Sequence, residues 1–277
     1  KGRRSHMASF YQEQRRTLDV LMEGGKPVGG RWSFDVENRR RLPKGVVPPA
    51  PPWTPTAKFV ALATGDVALV IAGPQTAERA REAWDVGATE VCMQGGIHPD
   101  YTGQTYLDIL QAVREAVPQM HVHAFSPLEV LHGARTLKLP LPDYLRRLKD
   151  AGLSTLPGTA AEILDDEVRA LICPDKLTTA EWLTVMREAH EAGLRSTATI
   201  MFGHVDRPEH WARHLLHLRR LQAATGGFTE FVPLAFVHME APMARKGLSR
   251  HGPTLREAVL MHAVSRLALH PLIPNIQ

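Results

Sequence analysis

Histidines, acids and glycines recur at the ends of short apolar runs, and these are the residue types best suited to chemistry. His121 and His123 alternate along one run, so both side chains point to the same face if that run is a strand. Glu230 lies inside another apolar run, where an acid is costly unless it is paired or functional. Polar clusters follow five such runs, and we expect them to converge on one site: residues 94–100 (QGGIHPD), 121–127 (HVHAFSP), 157–162 (PGTAAE), 203–204 (GH) and 230–233 (EFVP).

The alternating histidines allow three interpretations. An HxH pair on a barrel strand is typical of metal-dependent hydrolases, in which a later residue such as His204 would add a ligand. Two observations argue against a metal site: the pair does not lie on the first predicted strand, and no aspartate lies at the end of the last predicted strand. His121 and His123 are otherwise acid–base groups or ordinary hydrogen-bonded interior side chains. The sequence leaves these alternatives open, and we predict no metal site.

Two further sets of potential ligands are better explained by packing. His210, His214 and His217 have helical spacing beside a leucine stripe, which predicts a partly solvated helix face. Cys92 lies in an apolar run and is expected to be a buried small side chain. Cys173 lies in a predicted loop, where a lone thiol is more often structural than nucleophilic.

The elements that would position these residues alternate between strand and helix. Each interval between strand-like runs holds an amphipathic helix, which predicts parallel strands joined by right-handed crossovers. Because the ends of several different strands meet at one site in a barrel, we predict an α/β fold, a partial (β/α) TIM-type barrel. The strand-like runs are residues 67–72, 89–93, 121–125, 154–156, 196–202, 228–236 and 271–277.

Basic charge and proline are concentrated before the predicted barrel. Residues 1–60 carry twelve Lys or Arg against five Asp or Glu, so the net charge of +4 gives no reason to expect nucleic-acid binding by the rest. Residues 1–9 look like a vector-derived remnant, and residues 10–58 are Pro/Gly-rich and irregular and end in a linker. Residues 59–277 form the predicted barrel. No apolar run approaches the ~20 residues of a membrane span, so we expect a soluble cytoplasmic protein without a membrane partner.

Seven stretches carry a resemblance to a known family. MQGGIHPD, HAFSPLEV, LPGTAAEIL, ICPDKLTTAEW, TATIMFGHV, GGFTEFVPLAFVHMEAP and GPTLREAVLMHAVSRL occur in this order within residues 76–277. This part resembles the second half or subunit of FO synthase, a radical S-adenosylmethionine (SAM) transferase of coenzyme F420 (deazaflavin) biosynthesis. Residues 10–58, with GGRWSFDVENRR, resemble a segment of the bacterial photolyase-related proteins.

The resemblance to FO synthase implies a cofactor site. Gly95 and Gly96 match a glycine pair where the backbone approaches the methionine amino group of SAM, and glycine permits such a close approach. Gly158, Thr159 and Glu162 match a segment that holds the ribose or the methionine carboxylate of SAM.

The resemblance also implies two small-molecule substrates, tyrosine and 5-amino-6-ribitylaminouracil. A phenol and a polar uracil need acid–base and hydrogen-bonding groups around them. By their strand positions, His121, His123, His204 and Glu230 are the residues expected to face the substrates as catalytic groups.

The sequence departs from the family at one point that matters for activity. Radical SAM enzymes hold a [4Fe–4S] cluster with three cysteines spaced CxxxCxxC after the first strand, whereas Cys92 and Cys173 are the two cysteines here. The resemblance therefore implies a C-terminally truncated fragment of a transferase that joins a tyrosine-derived 4-hydroxybenzyl group to 5-amino-6-ribitylaminouracil, inactive alone. The alternatives are a non-catalytic ligand-binding or artificially fused fragment, and a metal-dependent TIM-barrel hydrolase using His121 and His123.

Overall fold

The structure, a computed structural model, describes residues 76–239 and 241–277 and four short strands that precede them. Strand β1 (Met22–Glu23) pairs with β2 (Lys26–Pro27), and β3 (Lys58–Ala61) pairs with β4 (Val67–Val70), both antiparallel. The remainder of the 10–58 segment, including its proline-rich linker, lies outside the described residues. The prediction that residues 67–72 form the first parallel strand is wrong, because residues 67–70 pair antiparallel with β3, which ends only six residues earlier in the chain.

Six parallel strands form the main sheet and lie side by side in chain order. They confirm the six remaining predicted strands. A doubly wound sheet reverses its strand order at a switch point, whereas strict chain order is the arrangement of a barrel wall. The prediction of a partial (β/α) barrel is therefore confirmed. The strands are β5 (Glu90–Met93), β6 (His121–Ala124), β7 (Thr155–Leu156), β8 (Arg195–Phe202), β9 (Phe228–Ala235) and β10 (Asn275–Ile276).

Helices fill the connections between the parallel strands. In the described part they are α1 (Thr76–Asp85), α2 (Gly103–Ala116), α3 (Pro127–Thr136), α4 (Leu141–Ala151), α5 (Asp166–Ile172), α6 (Thr179–Glu191), α7 (Pro208–Thr225), α8 (Pro242–Arg245) and α9 (Leu255–Leu269). Three of them begin with a capping box of the hydroxyl–glutamate kind: a hydroxyl and a glutamate three residues later satisfy backbone N–H groups that the helix leaves free. The pairs are Ser126 with Glu129 on α3, Thr178 with Glu181 on α6, and Thr254 with Glu257 on α9.

The strands divide their side chains between two environments. Residues such as Val122, Leu156 and Ile200 are buried beneath the helices and form the core. The alternate face carries polar side chains, among them those of His121 and His123, which are only partly buried. This alternation places the histidines on the inner face of the barrel wall. In the part of the chain that the structure describes, no helix is long and apolar enough to cross a membrane.

Candidate active site at the carboxyl ends of the strands

The backbone turns left-handed after four consecutive strands of the sheet. Gly96 follows β5 (φ 67°), Phe125 follows β6 (φ 61°), and Gly203 follows β8 (φ 97°). After β7, both Ala160 (φ 60°) and Glu162 (φ 46°) adopt this conformation. A residue with a Cβ pays about 1–2 kcal/mol for it, and such strain clusters at ligand-binding loops. The strain therefore marks the carboxyl edge of the sheet, where barrel enzymes place their sites.

A buried glutamate, Glu129, holds the turn formed by Gly95 and Gly96 in place. Both backbone N–H groups donate to Oε1 of Glu129, over 2.5 and 2.7 Å, and Glu129 is 2% exposed. The Tyr106 hydroxyl donates to the Gly96 carbonyl over 2.8 Å, and burial raises the pKa of Tyr106, which keeps this donor protonated. This role of Glu129, which lies within HAFSPLEV, was not predicted from the sequence.

The loop after β7 contacts β8 through its backbone. The Gly158 N–H donates to Thr197 Oγ1 over 2.8 Å, and the Thr199 hydroxyl donates to the Gly158 carbonyl over 2.6 Å. The neighbouring Thr159 accepts a hydrogen bond from Trp182 Nε1 at its carbonyl, over 3.1 Å. Its hydroxyl is buried and has no hydrogen-bond partner among the described residues. An unpaired buried hydroxyl costs free energy, so Thr159 Oγ1 is a natural contact for a ligand.

Glu162 has a cationic partner, Lys176, in the connection between α5 and α6. Its carboxylate lies 2.6 Å from Lys176 Nζ, and the Glu162 side chain is 18% exposed. The Glu162 carbonyl accepts from the Met201 N–H over 2.8 Å, which ties the loop to the end of β8. A ligand at this position therefore meets a carboxylate and an ammonium together.

His121 and His123 share one partner, the hydroxyl of Thr155. Their ring nitrogens lie 2.9 and 2.7 Å from Thr155 Oγ1, which confirms that both histidines point to the same face. The hydroxyl has one proton, so it donates to one ring and accepts from the other. Burial, and then the neighbouring His121, lower the pKa of His123 to about 4, so this ring is neutral at neutral pH.

This pair lies toward the amino end of the strands. His121 begins β6, Thr155 begins β7, and Glu90, whose carboxylate is 3.4 Å from His121 Nε2, begins β5. Residues at the amino end of a barrel usually serve stability, while those at the carboxyl end serve catalysis. His123 lies two residues nearer the carboxyl end and is the better placed of the two. Both catalytic roles stay predictions.

His204 is fully buried, and both of its ring nitrogens are occupied. Nε2 lies 2.9 Å from the Met201 carbonyl, and Nδ1 accepts from the Val205 N–H over 2.8 Å. Burial lowers the pKa of His204, which favours the neutral ring that this pattern requires. The buried Asp206 carboxylate accepts from the His204 N–H and from Trp211 Nε1. The catalytic role of His204 stays a prediction, and its geometry favours a structural one.

Glu230 lies on β9, three strands away from β6, which carries His121 and His123. It pairs in register with Asn275 of β10, and Gln277 donates to its carboxylate. Strand β8 separates it from β7 and the shared Thr155 hydroxyl. The structure therefore brings His121 and His123 together through Thr155 but leaves Glu230 apart from them.

One group of potential metal ligands stands out among residues 76–239 and 241–277. Asp165, Glu167 and His210 bring ligand atoms within 4.8 Å of one another. Arg213 already lies 2.8 Å from Asp165, and that interaction lowers the pKa of Asp165. The carboxylate is therefore already paired with a guanidinium. No such group forms around His121 in this part of the chain, so the geometry gives the hydrolase alternative no support.

Comparison with known proteins decides the family. A family model described as "Radical SAM superfamily" matches residues 74–218, more than half of the chain. The chain belongs to the radical SAM superfamily. A second model, "Deoxyribodipyrimidine photo-lyase-related protein", matches residues 1–70, so both predicted resemblances are confirmed. The domain boundaries at residues 9 and 58 stay predictions.

Curated relatives make the resemblance more specific within the radical SAM superfamily. The chain is 57% identical over 203 residues to "FO synthase" of Streptomyces avermitilis, covering 73% of this chain and 24% of that protein. It is 52% identical over 203 residues to "5-amino-6-(D-ribitylamino)uracil--L-tyrosine 4-hydroxyphenyl transferase" of Methanopyrus kandleri, covering 73% and 55%. The chain thus spans a quarter to about half of these relatives. Methylornithine synthase (PylB) shares its fold, with a TM-score of 0.54 and 14% identity over 73% of this chain and 53% of that one.

The radical SAM family implies a [4Fe–4S] cluster, which these residues do not fit. A cluster needs three or four thiolates, and the chain holds Cys92 on β5 and Cys173 after α5. Burial raises the pKa of both thiols, which disfavours the thiolate that binds a metal. Cys92 is partly exposed rather than fully buried as predicted.

Several histidines of this radical SAM barrel are buried and neutral. The expectation that His214 lies on a partly solvated helix face is wrong, because it is fully buried and accepts from the Leu164 N–H over 3.0 Å. Burial lowers its pKa to about 3. His190, between the hydroxyls of Thr225 and Ser196, has its pKa lowered to about 4 for the same reason.

Because these histidines are buried in their neutral form, we expect acid to destabilise the fold already at pH values above those at which carboxylates titrate. Their folded pKa lies below the unfolded value of 6.5, so the unfolded chain takes up more protons as the pH falls from 6.5 to about 4. We expect the free energy of unfolding, measured by urea titration, to fall by about 3 kcal/mol between pH ~7 and ~5. His214→Gln should flatten this dependence, and His262→Gln, at an exposed site on α9, should not. A pH-independent free energy would refute the prediction.

Proposed function

We propose that this chain forms the SAM- and substrate-binding part of a transferase of the FO synthase kind. That reaction joins a tyrosine-derived 4-hydroxybenzyl group to 5-amino-6-ribitylaminouracil. The observation that carries the proposal is the identity of 52–57% over 203 residues with the two relatives named above. Because the chain spans only part of each relative, we assign the complete reaction to a longer protein or an assembly.

The residues at the carboxyl edge fit a SAM site. Gly95 and Gly96 would meet the methionine amino group, and Gly158, Thr159 and Glu162 would hold the ribose or carboxylate end. The unpaired Thr159 hydroxyl supports this assignment, because a ligand atom there would remove the cost of burying it alone. When bound and reduced, SAM supplies the radical chemistry of the family.

We do not assign the [4Fe–4S] cluster to these residues, because two cysteines cannot bind it. The electron that SAM requires would come from a cluster bound by residues outside these 277 or by another chain. We therefore expect these residues alone not to catalyse the transfer.

The substrates would lie over the inner face of the sheet. A neutral His123 offers one donor and one acceptor, and Thr155 takes one of these positions, which leaves the other for a phenol or a uracil. We keep His121, His204 and Glu230 as lesser candidates, because each has partners within the fold.

Calorimetric titration of the chain with SAM tests the proposal. We expect saturable binding to the wild-type protein, and binding about 10-fold weaker to Thr159→Ala, the equivalent of one hydrogen bond. Thr184→Ala is the matched control, since this exposed hydroxyl donates to the Ala180 carbonyl of its own helix. Absence of binding to the folded wild-type protein would overturn the proposal, and an equal loss in the control would overturn the role of Thr159.

A further inference from the structure

The capping box of α3 differs from the other two in what its second carboxylate oxygen does. In all three, one oxygen of the glutamate accepts from the backbone N–H and the hydroxyl of the capping residue. The other oxygen of Glu181 meets Arg135 at the surface, and that of Glu257 meets Arg250. The other oxygen of Glu129 instead accepts from Gly95 and Gly96, more than 30 residues earlier in the chain.

The Gly95–Gly96 turn has the geometry of an anion-binding nest. Two successive N–H groups converge on one oxygen, and the second glycine is left-handed at φ 67°. Nests of this kind commonly bind a phosphate or another external anion. Here the anion is the chain's own Glu129 carboxylate, which receives four donors in all and is buried. The two oxygens of a carboxylate have enough lone pairs to accept all four of these hydrogen bonds.

The planarity of the peptide bond fixes what this turn presents to a ligand. In a trans peptide the N–H and the C=O point in opposite directions. Because the Gly95 and Gly96 N–H groups point at Glu129, the carbonyls of Gln94 and Gly95 point away from it. Neither carbonyl accepts a hydrogen bond from a described residue. The turn therefore presents two free acceptors at the carboxyl end of β5, which is what an ammonium group requires.

We propose that Glu129 is a positioning residue: it holds the Gly95–Gly96 turn so that the carbonyls of Gln94 and Gly95 face the amino group of the ligand. This inference rests on the proposed SAM site and adds to it the residue that orients its amino-group end. Without Glu129 the turn would be free to rotate its N–H groups outward, where they would repel the ammonium.

The test compares two ligands on matched variants. SAM carries the amino group, whereas 5′-methylthioadenosine lacks the whole amino-acid portion. In calorimetry, Glu129→Ala should bind SAM about 10-fold more weakly than the wild type does and 5′-methylthioadenosine about equally well. Glu181→Ala removes the same capping box from α6 and should bind both ligands as the wild type does. Equal weakening for both ligands, or the same loss in Glu181→Ala, would overturn the inference.

Chemical rescue separates positioning from simple structural support. Glu129→Ala leaves an empty nest that a small anion fits, so added acetate should restore SAM affinity in this variant and not in Thr159→Ala. Failure of acetate to act on a folded variant that has lost affinity counts against the inference.

A measurement on the wild-type protein serves if Glu129→Ala does not fold. The Gly95 and Gly96 amides should exchange with solvent at least about 100-fold more slowly than unprotected amides, because Glu129 holds them inside. Fast exchange would overturn the role of Glu129. Failure of the wild type to bind SAM, with slow exchange at both glycines, would overturn the proposed function and the ligand assigned here, and would leave standing only that Glu129 holds the turn.

Discussion

Arg169→Met will lower the free energy of unfolding by about 4 kcal/mol, because it removes a buried guanidinium that donates to four backbone carbonyls, three of them in buried residues. Arg169 lies on α5 and is 3% exposed. Its guanidinium is planar and offers five N–H donors in a fixed arrangement, which suits several carbonyls at once.

Three of the carbonyls that Arg169 holds belong to the loop after β7, and the fourth, that of Leu177, lies between α5 and α6. Its Nε donates to the Leu177 carbonyl over 2.6 Å and its Nη2 to Ala160 over 3.2 Å. Its Nη1 donates to Ala161 and, over 3.4 Å, to Ile163. Methionine fills similar space but donates nothing, so the carbonyls of Leu177, Ala160 and Ala161 each lose this donor at a cost of about 1 kcal/mol or more. The Ile163 carbonyl keeps its hydrogen bond from the Asp165 N–H. Because Ala160 and Ala161 follow Thr159, the same change should weaken SAM binding.

Urea unfolding measures the loss of stability in Arg169→Met, and two further variants serve for comparison. Arg220→Met, at an exposed position on α7, should change the free energy of unfolding by less than about 0.5 kcal/mol. Arg169→Lys keeps the charge but cannot reach four carbonyls, so it should lose most of the stability that Arg169→Met loses. If Arg169→Met stays within about 1 kcal/mol of the wild type, the loop is held by other contacts.

Strand order was predictable from the sequence because it depends on local pattern. Short apolar runs alternating with amphipathic helices specify parallel strands, and polar residues at their ends specify a barrel. Only the run at residues 67–72 was assigned to the wrong partner, since its pattern fits a parallel strand and a hairpin strand equally well.

The residues that hold the site together were not predictable in the same way. Thr155 contacts His123 because β6 and β7 pair in one register, and nothing in the local sequence sets that register. The spacing of Ser126 and Glu129 predicts a capping box, which accounts for the hydrogen bonds of only one of the two Glu129 carboxylate oxygens. Arg169 was passed over because an arginine is expected at the surface. For Thr155 and Glu129 the decisive partner is more than 30 residues away in the sequence. For Arg169 the partners lie in the loops on either side of its own short helix, and no sequence pattern marks them.

Gly158→Ala is the second change from which we expect a large loss, about 3 kcal/mol of the free energy of unfolding. A Cβ at Gly158 would lie 2.6 Å from both the Ala198 Cα and the Thr197 carbonyl oxygen. Both atoms belong to the backbone of β8, so neither can move aside as a flexible side chain would. The family resemblance assigns Gly158 to the cofactor, but the structure gives a separate reason for glycine at this position.

Gly247→Ala is the control that isolates this steric effect. Its φ of 69° disfavours a side chain, but no atom lies within 4 Å of the added Cβ, so it should cost only about 1 kcal/mol. Gly158→Ala should also stretch the hydrogen bonds to Thr197 and Thr199 and move Thr159 away from β8, so SAM affinity should fall along with stability. If Gly158→Ala is as stable as Gly247→Ala but binds SAM poorly, the glycine serves ligand contact rather than packing. Loss of stability without loss of SAM affinity in the folded fraction would assign it to packing alone.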